Sequence, residues 1–205
     1  MKRVTATLLT DGSSDRLLVP LIELLFSQHT DLAYQVNCAD GLPPVASGLR
    51  ARMNAALALF PCDILFVHRD AERESPSVRQ PEIEAGWPDS PQNSVLICVI
   101  PVRMTEAWLI ANERPIRSAV GNPNGVEPLG LPAPKDIEAL PDPKELLFSA
   151  LKTASGRNAS RKKRLNPHAY RHRVSELTDD LAPLRQLASF RHLEAQVQQH
   201  CLALG

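Results

Sequence analysis

The stretch VTATLLTDGSSD at residues 4–15 decides the start of the fold. Its opening run of β-branched residues, alanine and leucine favours a strand, and the polar DGSSD at residues 11–15 favours a tight loop. Leucines and an isoleucine then recur at helical spacing over residues 16–28. Pro20 lies within that pattern, so the helix is expected to kink there or to begin late enough to tolerate it. The stretch predicts strand, loop and helix in that order.

Three further stretches predict strands of the same sheet. Residues 33–38 are followed by a turn-rich segment and a helical pattern over residues 45–60, which continues the alternation of strand and helix. Residues 63–67 (DILFV) and 95–100 (VLICVI) are almost unbroken apolar runs, as expected of parallel strands buried on both faces. Strands that alternate with helices predict an α/β fold with a mainly parallel central sheet flanked by helices.

The C-terminal part of the chain is predicted to be helical. Helices are expected at residues 104–112, 144–154 and 180–202, and a proline-rich loop is expected at residues 122–143. We therefore predict a sheet-containing domain over residues 1–120. Residues 121–205 are predicted to form the proline-rich loop and a C-terminal helical extension that packs on this domain.

The composition is that of an ordinary globular protein. Of the 205 residues, 43% are hydrophobic and 22% are charged, and 23 Lys and Arg residues balance 23 Asp and Glu residues. No apolar stretch approaches the roughly 20 residues that cross a bilayer. The four cysteines are widely spaced and form no C-x-x-C pair, which argues against a zinc knuckle or a disulfide framework. We expect a cytoplasmic protein without a membrane segment.

Two loops that follow predicted strands are rich in carboxylates. Asp11 and Asp15 follow the first strand, and Asp70 and Glu72 follow the strand at residues 63–67. Because parallel strands end at one edge of a sheet, we expect the four carboxylates to converge there. Close carboxylates repel one another unless a cation lies between them, and hard oxygen ligands suit Mg, Mn or Ca rather than zinc. The sequence thus predicts a magnesium or manganese site with phosphoryl-transfer or hydrolytic chemistry.

Each of these loops also has a simpler interpretation. DGSSD is a good helix-capping turn, in which a serine caps the helix and Asp15 favours its N-terminus. Asp70 and Glu72 lie among further charged residues, and a solvated surface loop is the alternative interpretation. His68, beside the second loop, is a candidate for an outer role, although a lone histidine at a strand end is more often structural.

The segment RMTEAWL at residues 103–109 follows the last predicted strand. In one interpretation it starts a helix, with Thr105 as the cap and Trp108 in the core. In the other, Glu106 is a further catalytic acid near the same edge of the sheet. Arg103 would then clamp a phosphate, since a guanidinium matches phosphate geometry bidentately.

A basic segment, RNASRKKR at residues 157–164, contains no carboxylate. Such cations neutralise a nucleic-acid backbone by displacing its counterions, and a solvated loop is the alternative. No aromatic residue is interleaved in the segment, so base stacking is not indicated there. The candidate nucleic-acid-binding residues are Arg157, Arg161, Lys162, Lys163 and Arg164.

Several of these elements together resemble a known family. TDGSSD at residues 10–15, with its leucine-rich helix, looks like the Glu-Gly-x-x-Asp opening of Toprim domains, and HRDAE at residues 68–72 looks like their Asp-x-Asp motif. RMTEAWL, the later KKRL at residues 162–165 and LRQLASF at residues 184–190 extend the likeness over most of the chain. The chain is similar to an uncharacterised bacterial Toprim-like family related to the overcoming-lysogenization-defect nucleases.

The resemblance implies roles for individual residues. Asp11 stands where Toprim proteins have a glutamate that acts as a metal ligand or as a general acid/base, and the aspartate is shorter by one methylene. Asp70 and Glu72 stand where the paired aspartates would be. An alternative register pairs His68 with Asp70, and we prefer the first register because it retains two oxygen ligands.

The leading hypothesis is a Mg-dependent, Toprim-like phosphodiesterase or nuclease that acts on nucleic acid, with phage defence as the process that the resemblance implies. The residues assigned to metal and chemistry are Asp11, Asp15, Asp70, Glu72, Glu106 and Arg103.

Two other hypotheses remain open. One is a non-catalytic Toprim-like module that binds an ATPase or another protein, for which the altered Asp11 is the main support. The chain contains no G-x-x-x-x-G-K-[ST] motif, so any nucleotide-driven step would come from the partner. The other is a phosphatase or phosphoacceptor domain, which is less favoured because Ser13 stands where a second acid would be expected.

Overall fold

The structure is a computed structural model that describes residues 3–89, 91, 93–156 and 165–204. The chain divides into two compact units, one formed by Met1–Ile100 with His192–Gly205 and the other by Pro101–Arg191. This division follows the last strand directly, and the C-terminal segment groups with the sheet. The predicted domain boundary at residue 120 stays a prediction. Proline at position 101 has no N–H for a strand ladder, which is consistent with a boundary at this point.

Within the described residues, the first unit contains a four-stranded sheet in which all strands are parallel. In chain order the strands are β1 Arg3–Leu9, β2 Ala33–Cys38, β3 Ile64–His68 and β4 Val95–Val99, and in the sheet they lie in the order β2-β1-β3-β4. Each begins and ends within one residue of its predicted bounds. β3 is buried along its whole length, as its apolar run predicts. The predicted α/β fold with a parallel central sheet is confirmed.

A carboxylate just before β3 fixes the pairing of β3 with β1. Asp63 Oδ2 accepts hydrogen bonds from Thr5 N at 2.7 Å and from Thr5 Oγ1 at 2.8 Å, and Asp63 N donates to Thr5 O at 2.9 Å. In the strand order, β2 lies next to β1 in one direction, and β4 lies next to β3 in the opposite direction. The crevice beyond the C-terminal ends of β1 and β3 is therefore the point where the strand order reverses, which is where open α/β sheets bind ligands.

The helices of the first unit connect the strands and cover the sheet. They are a 3₁₀ turn Ser13–Leu17, α1 Leu18–His29, a 3₁₀ turn Val45–Ser47, α2 Leu49–Leu59 and α3 Pro76–Ala85. Pro20 lies in the first turn of α1, where its missing N–H costs no intrahelical hydrogen bond. Leu25 and Phe26 of α1 are fully buried, and Met53 of α2 and Ile83 of α3 pack in a core cluster with the strands.

No helix is predicted from sequence at the position of α3. Pro81 interrupts its helical pattern, which weakens the sequence signal. Ser75 nevertheless caps this helix by accepting a hydrogen bond from Ser77 N at 3.2 Å, and Pro76 lies in the first turn. Proline is tolerated in that turn, and a serine cap stabilises it. The serine cap and the proline of the first turn are therefore sufficient to start a helix here, although Pro81 lies within it.

Helices make up the regular structure of the second unit in its described residues. They are α4 Glu106–Leu109, α5 Glu113–Ala119, a 3₁₀ turn Pro134–Ala139, α6 Pro143–Ala154, α7 Pro167–Glu176 and a 3₁₀ turn Leu184–Gln186. α6 matches the helix predicted at residues 144–154. The helix predicted at residues 104–112 is shorter than expected, because Asn112 is extended and caps α5 by accepting a hydrogen bond from Arg114 N at 3.1 Å.

The C-terminal helix, α8 Ala188–Leu204, begins later than the predicted residue 180. Glu138 accepts hydrogen bonds from Ala188 N at 3.0 Å and from Ser189 N at 2.8 Å. These bonds satisfy N–H groups that a helix start would otherwise leave without partners. Like the other described helices, α8 lacks the length and apolar character that a membrane-spanning helix needs.

From His192 onward, α8 belongs to the first unit, where it covers the outer edge of β4. Cys98 N donates to Gln196 Oε1 at 3.1 Å, and Gln196 Nε2 donates to Cys98 O at 3.2 Å. The side-chain amide thus bonds to the edge strand as a neighbouring peptide group would, and so satisfies backbone groups that would otherwise be open to another strand.

Candidate functional site

Three side chains meet at the C-terminal edge of the sheet. His68 is the last residue of β3, and its side chain is only 3% exposed. Its Nε2 and Asp70 Oδ1 are joined by a hydrogen bond of 3.1 Å, and its Nδ1 lies 3.8 Å from Asp15 Oδ2. Asp15 comes from the 3₁₀ turn after β1, so the adjacent strands β1 and β3 bring two carboxylates to opposite sides of one imidazole. The predicted Asp15 and Asp70 are thus placed beside the same residue.

Asp11 has a different environment, because each of its carboxylate oxygens faces an arginine. Arg52 Nη1 donates to Asp11 Oδ1 at 2.6 Å, and Arg69 Nε lies 3.3 Å from Asp11 Oδ2. The Arg52 side chain is 7% exposed and also donates to Thr10 O at 2.8 Å and to Pro43 O at 3.2 Å. Asp11 therefore offsets the charge of a nearly buried guanidinium and holds the loop after β1 against α2 and the loop after β3.

Glu72, the fourth predicted ligand, pairs with a helix. Its backbone has φ 55°, its side chain is 73% exposed, and its carboxylate lies 3.4 Å from Arg79 Nη2 of α3. Arg79 also contacts Glu82 at 2.9 Å. Of the two registers considered for the HRDAE motif, the geometry brings His68 and Asp70 together and joins Glu72 to Arg79.

The predicted four-carboxylate cluster is thus divided among three environments. Among the described residues, no group of three or more His, Cys, Asp or Glu side chains is arranged to hold a metal ion. Asp15 and Asp70 are 18% and 32% exposed, and they offer the hard oxygen ligands that Mg prefers. Mg commonly takes one or two protein carboxylates and keeps several waters. The oxygen chemistry of the two carboxylates suits such an ion, and the metal site itself stays a prediction.

Glu106 and Arg103 belong to the second unit, and they are described here with their neighbours in it. Glu106 is 6% exposed, and its Oε1 lies 2.5 Å from Arg171 Nη1 and 3.9 Å from Lys144 Nζ. Arg103 has φ 65°, a left-handed conformation that is unusual for a long side chain. Their roles as a further acid and as a phosphate clamp stay predictions.

The interpretation of RMTEAWL as a helix start is correct for Trp108. Trp108 is 1% exposed, its Nε1 donates to Ser189 Oγ at 2.9 Å, and its ring meets Phe190 edge to face at 5.3 Å. Thr105, the predicted cap, makes no side-chain capping bond. The basic segment with Arg157, Arg161, Lys162, Lys163 and Arg164 lies outside the described residues.

A small cavity of about 140 Å³ lies beside Asp11, beyond the ends of β1 and β2. Arg16 and Asp40, which form an ion pair, line it together with Cys38. Burial raises the pKa of the Cys38 thiol, which disfavours the thiolate form that a nucleophile requires. The cavity is therefore lined by charged side chains, and its cysteine is not activated as a nucleophile.

The sequence did not point to Arg52 or Arg69 as partners of Asp11. Arg52 lies in the middle of a helix far along the chain, and nothing in its neighbours distinguishes it from a surface residue. The sequence contains only a weak indication that His68 belongs to the site, because His68 and Asp70 form an H-x-D pair after an apolar strand. Comparison of the chain with family models, with curated proteins and with solved structures finds no match. The Toprim-like resemblance therefore stays a prediction from the motifs quoted above.

Proposed function

We propose that this protein is a divalent-metal-dependent phosphodiesterase of the Toprim-like kind, which acts on nucleic acid and uses Mg or Mn. One observation supports this proposal most strongly. Asp15, His68 and Asp70 meet at the C-terminal ends of adjacent strands, where the strand order reverses. Ligands of open α/β sheets bind at such points, and carboxylate oxygens there suit a hard cation.

In this proposal Asp15 and Asp70 hold the metal. When bound, such an ion stabilises charge on a phosphoryl oxygen and lowers the pKa of a bound water. His68 orients the two carboxylates, since it contacts both. Arg69 is 29% exposed and meets Asp11 through Nε, so we assign its guanidinium group to contact with a phosphate oxygen. Asp11 is not a ligand here, because both of its oxygens face guanidinium groups.

A cytoplasmic location is part of the proposal. All four cysteines, Cys38, Cys62, Cys98 and Cys201, are free thiols. Free thiols are typical of compartments in which glutathione and thioredoxin keep cysteines reduced. Nucleic acid is available as a substrate in such a compartment.

The proposal is tested first by isothermal titration calorimetry with MnCl₂ and MgCl₂. Asp70→Asn and Asp15→Asn should each weaken metal binding by about tenfold or more, because each removes a charged oxygen ligand. Glu72→Gln should bind as the wild type does, because Glu72 pairs with Arg79. Asp89→Asn is the matched control, since Asp89 is 92% exposed and pairs with Arg50 at 3.2 Å.

Cleavage of labelled oligonucleotides by the same proteins then tests the reaction. Metal-dependent cleavage should be present in the wild type, Glu72→Gln and Asp89→Asn proteins and lost in Asp70→Asn. No metal binding by the wild type, or equal binding by all the variants, would refute the proposed site.

One observation favours the non-catalytic alternative. Asp11 stands where the resemblance implies a metal-binding glutamate, and both of its carboxylate oxygens face arginines, Arg52 and Arg69. A chain of this kind would bind a partner such as an ATPase and leave the chemistry to it. Stable co-purification with an ATPase, together with no metal binding in calorimetry, would support this alternative over the phosphodiesterase.

A further inference from the structure

The strand β2 forms one outer edge of the described sheet, and β4 forms the other. β2 pairs with β1 along its whole length, from Ala33 opposite Arg3 to Cys38 opposite Leu8. The edge of β4 is covered by Gln196. Among the described residues, no comparable group bonds to the backbone of β2 on the side away from β1. β2 therefore has an open edge.

The hydrogen bonds of the sheet show which backbone groups of β2 point to this open edge. Ala39 N, just after the strand, donates to Leu8 O at 2.9 Å, so residue 39 faces β1. In a parallel ladder, every second residue directs its N–H and C=O groups to the same neighbour. The odd-numbered residues of β2 therefore face β1. The N–H and C=O groups of Tyr34, Val36 and Cys38 point outward.

The open edge lacks the features by which proteins prevent the pairing of edge strands. Those features are a very short strand, a proline, a bulge or a charged side chain. β2 has six residues, AYQVNC, with no proline and no charge, and its register with β1 contains no bulge. The flanking charges in the sequence are Asp31 and Asp40, and Asp40 forms an ion pair with Arg16. The edge is thus free to accept a further strand.

The outward backbone groups of β2 are complementary to those of a second copy of β2. Tyr34, Val36 and Cys38 are spaced evenly about Val36. In an antiparallel pair with a two-fold axis at Val36, the two copies of Val36 exchange N–H···O=C bonds, and Tyr34 of each copy exchanges them with Cys38 of the other. Every outward donor then meets an acceptor. Asp31 of one copy comes near Asp40 of the other, whose charge is already offset by its ion pair.

The side chains between the outward residues are also complementary in this arrangement. Gln35 of one copy lies directly opposite Asn37 of the other. Within one chain, Gln35 Nε2 donates to Asn37 Oδ1 at 2.9 Å. Each amide carries two N–H donors and an oxygen with two lone pairs, so each retains groups that can bond to the facing amide. The ring of Tyr34 packs on Phe26 of α1, and alternate side chains of a strand point to opposite faces. The amides therefore lie on the face away from α1.

We propose that this protein forms a homodimer in which two copies of β2 pair antiparallel, so that two four-stranded sheets join into one continuous sheet. The C-terminal ends of the strands then point in opposite directions in the two halves, and the two copies of the Asp15, His68 and Asp70 cluster lie at opposite edges of the joined sheet. The inference needs neither the metal nor the nucleic acid of the proposed function. Asp70→Asn should dimerise as the wild type does.

Sedimentation equilibrium from about 1 to 100 µM protein measures the dimer. The wild type should approach twice the mass of one chain as the concentration rises. Val36→Pro should raise the dissociation constant about tenfold or more, because it removes a backbone donor from each copy at the centre of the pairing. Proline is tolerated on an edge strand where the N–H points outward, so the ladder with β1 is kept. Val36→Thr is the matched control, since it retains the N–H and a β-branched side chain.

Disulfide cross-linking tests the register of the pairing. Opposite residues of a non-hydrogen-bonded antiparallel pair have Cα atoms about 4.5 Å apart, which is within the range of a disulfide. A Gln35→Cys protein mixed with an Asn37→Cys protein should therefore form a cross-linked dimer under mild oxidation. Either protein alone should form far less, because each position then lies diagonal to its own copy. The wild type gives the background from the native cysteines.

The inference is overturned if the wild type sediments as a single chain at every concentration, or if Val36→Pro dimerises as Val36→Thr does. It is also overturned if the mixture cross-links no more than the wild type or than either cysteine variant alone. Circular dichroism checks that Val36→Pro is folded. The cross-linking experiment keeps the test decisive if it is not.

Discussion

Asp11, Asp70 and Glu72 share a place after a strand, but their partners give them different roles. Asp11 lies between two arginines, Asp70 hydrogen-bonds to a buried histidine, and Glu72 extends toward Arg79. A carboxylate that offsets a nearly buried guanidinium stabilises the fold, since removing it would leave a charge without compensation. At the residue scale, therefore, Asp11 stabilises the fold through its two arginines, and the proposed metal site uses Asp70 in its place.

Cys98 provides a residue-scale prediction about pH. Burial, aided by the carboxylate of Glu84, raises the pKa of the Cys98 thiol from 9.0 to about 12. The unfolded chain loses this proton near pH 9, whereas the folded chain keeps it, so the resulting stability is fully present below pH 9 and is lost as the pH rises toward 12. Above pH 9 the free energy of unfolding should fall by about 1.4 kcal/mol per pH unit for this thiol.

Urea unfolding between pH 8 and pH 10.5 measures this effect. Over this pH range the free energy of unfolding of Cys98→Ala should fall less than that of the wild type. The difference corresponds to the titration of one thiol. The comparison uses the pH dependence and not the absolute stability, because the substitution also removes a buried sulfur atom. Identical pH dependence in the two proteins would contradict the prediction.

At the scale of elements, the edge of β4 is covered by a side chain and not by another strand. β4 ends the described sheet, and Gln196 of α8 bonds to both backbone groups of Cys98. Edge strands with open N–H and C=O groups are prone to pair with other chains. The C-terminal helix therefore also protects the sheet from association.

Gln196→Ala should expose this edge. The variant loses both hydrogen bonds to Cys98, and we expect the free energy of unfolding to fall by about 1–3 kcal/mol. Hydrogen exchange at the Cys98 amide should become faster than in the wild type. Gln198→Ala, at an exposed position of the same helix, is the matched control. Unchanged exchange at Cys98 in Gln196→Ala would show that the amide does not protect the strand.

At the scale of the whole molecule, the first unit is built from two separate segments of the chain, Met1–Ile100 and His192–Gly205. Leu193, Val197 and Cys201 of the second segment are each less than 5% exposed. His29 Nε2 of α1 also lies 2.9 Å from Glu194 Oε1. The sheet thus depends on residues from the C-terminal end of the described chain.

A chain that ends after Arg191 should be strongly destabilised. Each fully buried aliphatic side chain contributes about 1.5–3 kcal/mol, and single domains are stable by only about 5–15 kcal/mol. Loss of the segment should therefore remove a large part of the stability of the first unit. Urea unfolding followed by far-ultraviolet circular dichroism measures this, with a chain that lacks only residues 203–205 as the control. Equal midpoints for the two chains would contradict the dependence of the sheet on this segment.

The sequence by itself determined the strands and the edge of the sheet at which the acidic loops lie. The apolar runs of β3 and β4 and the alternation with helices depend on residues that are close in the chain, and such patterns can be interpreted without tertiary structure. α6 is predicted nearly to its ends for the same reason, and Trp108 is placed correctly in the core.

Only the tertiary structure decided which cation each acid faces and where the units divide. Arg52 comes to Asp11 from a helix far along the chain, and Gln196 reaches Cys98 from its C-terminal part. Ion pairs and hydrogen bonds of this kind join distant segments that the packing of the core brings together, and hydrophobic patterning specifies that packing without specifying the polar partners.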